Sequence, residues 1–412
     1  MINSHYWRTL GPGLLFSGAA VGVSHLVQST RAGALFGLAL AGVIVLINIL
    51  KYPAFRFGVD YGHAKQRSLL AGYRELGLWA PVLFLCVIVP VTPIVVAAIS
   101  ATTAGLIGAL TGVGLSVPLL AALVIGGTSA LIIVGGYSWL DAVNRLLMAF
   151  LILATVATTV LVLPRVEWGT LTSIGWAADP KALLFLVALA GFMPNPLDVS
   201  VPQSIWTIEA ENRVRDSAPV TLHEARLGFT SGYVLSAVLA LCFCIMGAGV
   251  LHAGSVQPAS DAVGFATQIV GLYRETLGPV PATLAAISAL AVMLTTMFAA
   301  FDAYGRAFAS AYEEITDQRD PARLRKVYML IVIAVALSAL SAVFFLLSDF
   351  GAFIDLATSI AFLSAPVIAA LNHLVMIRCD LPDEARPSRR IRLLSLVAIA
   401  TMSALALSYF LL

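Results

Sequence analysis

The chain has 412 residues, of which 60% are hydrophobic and only 11% charged. Soluble domains carry roughly 25% charged residues, so this composition, with a mean hydropathy of +0.95, excludes a soluble enzyme or scaffold and describes an integral membrane protein. A net charge of +2 offers nothing to nucleic acid, and the four cysteines (Cys86, Cys242, Cys244, Cys379) lie in or beside apolar segments without zinc or redox spacing.

Met1 to Leu10 carries no long basic stretch and no cleavage site follows, so the first apolar segment is expected to be a retained span. A crossing needs about 20 apolar residues. On that basis eleven spans are expected, over residues 11–32, 34–55, 79–105, 118–136, 143–163, 182–206, 228–251, 281–305, 327–347, 350–376 and 392–412.

Two of these spans are interrupted by helix-breaking residues. In the first, Gly18, Gly22 and Ser24 weaken the helix before His25. A half-helix starting there would carry His25, Gln28 and Ser29 on one face. In the sixth, Met193-Pro194-Asn195-Pro196 holds two prolines, each lacking an N–H and clashing with the preceding turn. The carbonyls of Ala190 and Gly191 should then lose their helical partners. Lipid cannot satisfy such groups, so they need protein, an ion or a solute.

Charge placement orients the chain. Nineteen Lys/Arg fall beside loops of one parity, among them Arg56, Arg67, Arg226, Arg319 and Arg389, against four (Arg31, Arg165, Lys181, Arg274) on the other. The positive-inside rule puts the N-terminus in the cytoplasm of an inner-membrane, multi-pass protein and the C-terminus outside. Five spans followed by five more, each set opening on a broken helix, is an all-α LeuT-type 5+5 inverted repeat. Repeat one covers about 11–163, repeat two about 182–376, and the span at 392–412 is an addition, all within one membrane domain over 1–412.

At the first break, Gly22, Ser24 and His25 are expected to meet a substrate. His25 can accept a hydrogen bond, ligate a metal or carry a proton, or it can be packed with its nitrogens satisfied by neighbours. At the second break, Met193 offers a thioether suited to a transition metal, or simply packs. Asn195 can donate and accept. Asp198 either complements a half-helix N-terminus or carries a cation or proton. Farther on, Asp302 and Arg306 are spaced to pair, and Asp355 lies one turn from Thr358 and Ser359. His25, Asp198, Asp302 and Asp355 are thus the groups through which protons could be coupled. Lys51 and Arg31 fall near span ends, where solvated heads are expected; His252 and His373 receive no role.

At these residues the chain resembles the Nramp divalent-metal transporters. The opening Gly11-Pro12-Gly13, the Ala32-Gly33-Ala34-Leu35-Phe36-Gly37 ending and the distance between them match that family's first span, and Met193-Pro194 matches the start of its Met-Pro-His-Asn motif. The resemblance covers essentially the whole chain and implies a secondary transporter with metal ligands at Met193 and the Ala190 carbonyl. The departures fall on the site. Where the family has Asp-Pro-Gly-Asn, this chain reads Gly22-Val23-Ser24-His25, so the metal-binding Asp is Gly22. Its His-Asn becomes Asn195-Pro196, and the third span, Trp79 to Leu110, lacks every ionisable residue the family uses for protons.

Three functions follow. The family default is movement of a metal cation, with or without proton coupling, on His25, Met193, Asn195 and carbonyls. The alternative is the same fold carrying a small organic or anionic solute, since a dication needs an anionic ligand and half-helix N-termini near His25 and Leu197 favour a carboxylate. A non-transporting sensor would have little use for two breaks in register. No nucleophile–base pair or phosphate loop points to an enzyme, and no cofactor is expected.

Overall fold

The computed structural model describes residues 21–134, 140–214 and 219–411. Among these there is no strand, and ten helices are long and apolar enough to cross a bilayer. The upstream half of the first span, residues 11–20, lies outside the described residues. Its downstream half is a π-helical turn, Ser24–Ser29, running into an α-helix, Thr30–Phe36. The second span is Ala41–Lys65, the third Trp79–Thr111, and the sixth is split into Pro180–Phe192 and Ser200–Val214.

Hydropathy misplaced the first boundary. The turn between the first two spans is itself apolar, Gly37-Leu38-Ala39-Leu40, and is marked only by Gly37 at φ +58°. The second span therefore starts at Ala41 instead of residue 34. Two further helices, Leu69–Leu76 and Ala262–Leu277, follow the second and seventh spans. They occupy equivalent places in the two repeats.

Packing repeats the same symmetry. The first span's described half lies against the end of the seventh, and the second half of the sixth lies against the second. Both contacts depend on glycine. A Cβ at Gly33 would sit 1.9 Å from the Cys244 carbonyl oxygen, and one at Gly58 would sit 2.3 Å from that of Ser200. Without a hydrophobic force between helices in lipid, small residues that let backbones touch supply much of the attraction.

The loops gather at two ends. Arg67, Glu209, Arg306, Glu314 and Arg319 surround a cleft of about 390 Å³ at one end. Phe36, Thr170, Trp176, Asp179 and His252 surround one of about 340 Å³ at the other. Two apolar clusters fill the space between. Phe192 belongs to one and Met193 to the other, so the sixth-span break lies where they meet.

Candidate functional site

The sixth span stops being helical at Met193 because Pro194 cannot give the Ala190 carbonyl its N–H. Helix resumes through a 3-10 turn at Leu197–Val199. The two breaks face each other: the Ser24 hydroxyl lies 3.3 Å from the Pro194 carbonyl oxygen, within donating distance. At Gly22 an added Cβ would come within 3.1 Å of the Thr296 methyl, so the eighth span closes the third side.

The freed carbonyls have a partner that the sequence reading did not supply. Lys51 is wholly buried, and its Nζ donates to the carbonyl oxygens of Ala190 at 2.6 Å, Gly191 at 2.8 Å and Asn195 at 3.1 Å. An ammonium has three N–H donors and a neutral amine two, so three acceptors match the charged form. The solvated head expected for Lys51 is therefore a correction. Its cause is the far end of the second span: the helix runs on to Lys65 instead of ending at residue 55, so Lys51 stands well inside it. Charge-assisted bonds of this kind are about twice as strong as neutral ones and offset part of the desolvation of a buried cation.

Arg31 is corrected in the same way. It is nearly buried and forms a two-pronged pair with Asp355, at 2.6 and 2.9 Å, while its guanidinium lies 5.2 Å from the centre of the Phe185 ring. Gln28 joins this network, donating to Asp355 and to the Thr358 hydroxyl, both at 3.0 Å. The group ties the first span to the tenth. Ser359 is buried nearby in the same helix.

His25 is fully buried, with Nε2 2.8 Å from the Ser236 carbonyl oxygen and Nδ1 2.7 Å from the Ser24 hydroxyl. The carbonyl only accepts, so Nε2 carries a proton, and Nδ1 is engaged in either protonation state. No lone pair of this ring is free for a metal. Met193 is also fully buried, packed in the apolar cluster with Ala190 and Leu197. The structure does not bring the two proposed metal ligands to one cavity, and among the described residues no three His, Cys, Asp or Glu side chains converge.

What the break leaves open lies on its other face. A cavity of about 40 Å³ there is lined by Asn195, Asp198, Thr296, Tyr304, Phe84 and Trp206, with further apolar side chains. The Asn195 Nδ2, the Asp198 Oδ1 and the Tyr304 hydroxyl are all buried without a hydrogen-bond partner. Tyr304 lies beside the Asp198 carboxylate, yet its geometry does not close a bond. Lys51 is the opposing charge that acts on Asp198 through the break. Unsatisfied buried polar atoms are rare and call for an occupant. Thr296 and Tyr304 were missed because a threonine and a tyrosine in an apolar helix carry no periodic signal.

Asp302 is paired, as its spacing suggested: Arg306 Nε lies 2.7 Å from it, and the Tyr328 hydroxyl donates to it at 2.9 Å. Arg306 also reaches Glu209 at the end of the sixth span.

Comparison with known proteins gives a consistent result. The family model described as "Natural resistance-associated macrophage protein-like" matches residues 13–412. Protein PM0681 of Pasteurella multocida (strain Pm70) is 32% identical over 408 residues, covering 98% of this chain and 92% of that one. The solved manganese transporter of Eremococcus coleocola superposes with a TM-score of 0.70 at 16% identity, over 99% of this chain and 87% of that one. MhsT in complex with L-phenylalanine gives 0.67 at 15% identity, over 96% and 98% of the two chains. At such identities the structural likeness speaks for a common fold alone.

Proposed function

The chain belongs to the natural resistance-associated macrophage protein-like family, whose members are membrane transporters and not enzymes, and from that premise we propose that it moves a metal cation by alternating access. The single supporting observation is the unpartnered carboxylate oxygen of Asp198, buried in a cavity at the sixth-span break beside Asn195. Asp198 supplies the charge and the Tyr304 hydroxyl a neutral oxygen, while the open Asn195 Nδ2 donates and so suits a water carried by the ion. The donor set is oxygen-rich, which suits Mn²⁺ better than a soft ion. Size argues the same way. A cavity of about 40 Å³ holds an ion or a few waters, whereas sites for organic ligands start near roughly 300 Å³.

Affinity should be low, because Lys51 and Asp198 already balance before any cargo arrives. The arginine-rich end is read as cytoplasmic. If protons are coupled, Asp198 is the carboxylate free to take part, since Asp302 and Asp355 are each held by an arginine.

A second reading, a small organic solute, draws on the apolar wall formed by Phe84, Ile88, Val95 and Trp206 and on the occupied carbonyls. The deciding experiment is uptake of Mn²⁺, Co²⁺ or Cd²⁺ into liposomes holding the purified protein. Saturable uptake that falls about tenfold or more in Asp198→Asn is expected, in line with the loss of a buried charged ligand. No uptake of any of these metals by folded protein overturns the cation reading, and uptake of a labelled amine or amino acid instead would select the second.

A further inference from the structure

We infer that Lys51 is a resident cation: its ammonium permanently fills the carbonyl cage of the sixth-span break and so confines any transported cation to the Asn195–Asp198–Tyr304 cavity. The clause about the transported cation rests on the function proposed above; the resident cation itself does not.

The cage is a cation site by construction. Three main-chain oxygens, of Ala190, Gly191 and Asn195, converge on one point, and each lies within 3.1 Å of the Lys51 nitrogen. Converging carbonyls of unwound half-helices are what this kind of fold uses to hold coupling ions. Here a side chain of the protein holds that point. All three ammonium protons are used, which also removes Lys51 as a receptor for an anionic solute. The geometry explains how Gly22 is tolerated. A mobile dication in the cage would need a nearby carboxylate, whereas a covalently tethered monocation loses no translational freedom on binding and is balanced by Asp198 alone.

The two faces of the break are then different sites. Asn195 belongs to both: its carbonyl faces Lys51, and its amide faces the cavity without a partner. A cation in the cavity sits on the far side of this residue from the ammonium and feels its repulsion. Lys51 therefore sets both where the cargo binds and how weakly.

Two variants of the full-length protein test this. Lys51→Ala removes the stem and the charge and leaves the oxygens bare. Its melting temperature should fall, and butylammonium should restore it, because a primary ammonium can refill the cage. Tetramethylammonium, which has charge but no N–H, should not. Lys51→Gln keeps the bulk and an amide donor while removing the charge, and it should bind Mn²⁺ about tenfold tighter or more by calorimetry, since the repelling unit charge across Asn195 is gone. Mn²⁺ affinity of folded Lys51→Gln equal to or below wild type overturns the inference, and so does a Lys51→Ala protein that folds but is not rescued by butylammonium. Should Lys51→Ala not fold, Lys51→Gln decides alone. Tight Mn²⁺ binding by Lys51→Gln beside a wild type that transports no metal would remove the proposed cargo and keep the resident cation. The opposite pattern would keep the cargo and remove the resident cation.

Discussion

The two faces of the sixth-span break are built from the same residues and have opposite chemistry. On the face toward the second span, every main-chain oxygen that the break frees at Ala190, Gly191 and Asn195 is bonded to Lys51. On the face toward the eighth span, a carboxylate oxygen, an amide and a hydroxyl have no partner. The difference teaches that unwinding a helix does not by itself make a substrate site. A substrate site is what remains after the protein's own side chains have taken their share.

The largest effect is expected where the saturated face is held in place. An added Cβ at Gly191 would lie 1.8 Å from the Thr358 carbonyl oxygen, so the sixth and tenth spans touch through their backbones. Gly191→Val forces them apart and displaces one of the three oxygens around Lys51. A loss of about 4–5 kcal/mol or more is expected, which should abolish monodisperse protein on size exclusion. Normal yield and an unchanged melt would mean that the tight contact is not needed to form the cage.

A smaller effect is expected at the pair that ties the first span to the tenth. Asp355→Asn leaves the Arg31 guanidinium, whose side chain is 11% exposed, without its anion. Breaking a buried pair costs about 3–5 kcal/mol, but the Asp355 side chain is 32% exposed, so about 1–3 kcal/mol is the expectation after solvent screening. The melting temperature should drop while Mn²⁺ affinity stays put, because the pair lies away from the cavity. A change in affinity larger than the change in folded fraction would show that the two faces are coupled.

How much of this was legible in the sequence depended on the kind of signal. Prolines 194 and 196 name the break and the carbonyl they orphan, because a missing N–H is a property of the residue itself. The repeat was legible through the pair of breaks, and the spacing of Asp302 and Arg306 foretold their contact. The partner of the carbonyls was not. Whether a lysine reaches water or the interior depends on its distance from the helix end, and the charged stretch Arg56 to Lys65, which reads as loop, continues the helix beyond residue 55. His25 and Met193 were visible as residue types, but which way each side chain turns is settled by packing against distant segments, Ser236 for one and the Ala190 cluster for the other.

The smallest effect should come from the ion pairs at the arginine-rich end, and its smallness is informative. Arg67 is 48% exposed and meets Glu314, whose carboxylate is buried and also takes Arg319 at 3.3 Å. Arg67→Ala removes one of two cations from a carboxylate that keeps the other, so about 0–1 kcal/mol is expected. The comparison with Asp355→Asn then isolates the principle at work in the break. An exposed charge with a redundant partner can be deleted cheaply, whereas a buried charge with a single partner cannot. A melting shift for Arg67→Ala as large as that for Asp355→Asn would mean that the 390 Å³ cleft is sealed from water. Its ion pairs would then hold the protein shut at that end as firmly as Arg31 and Asp355 tie the first span to the tenth.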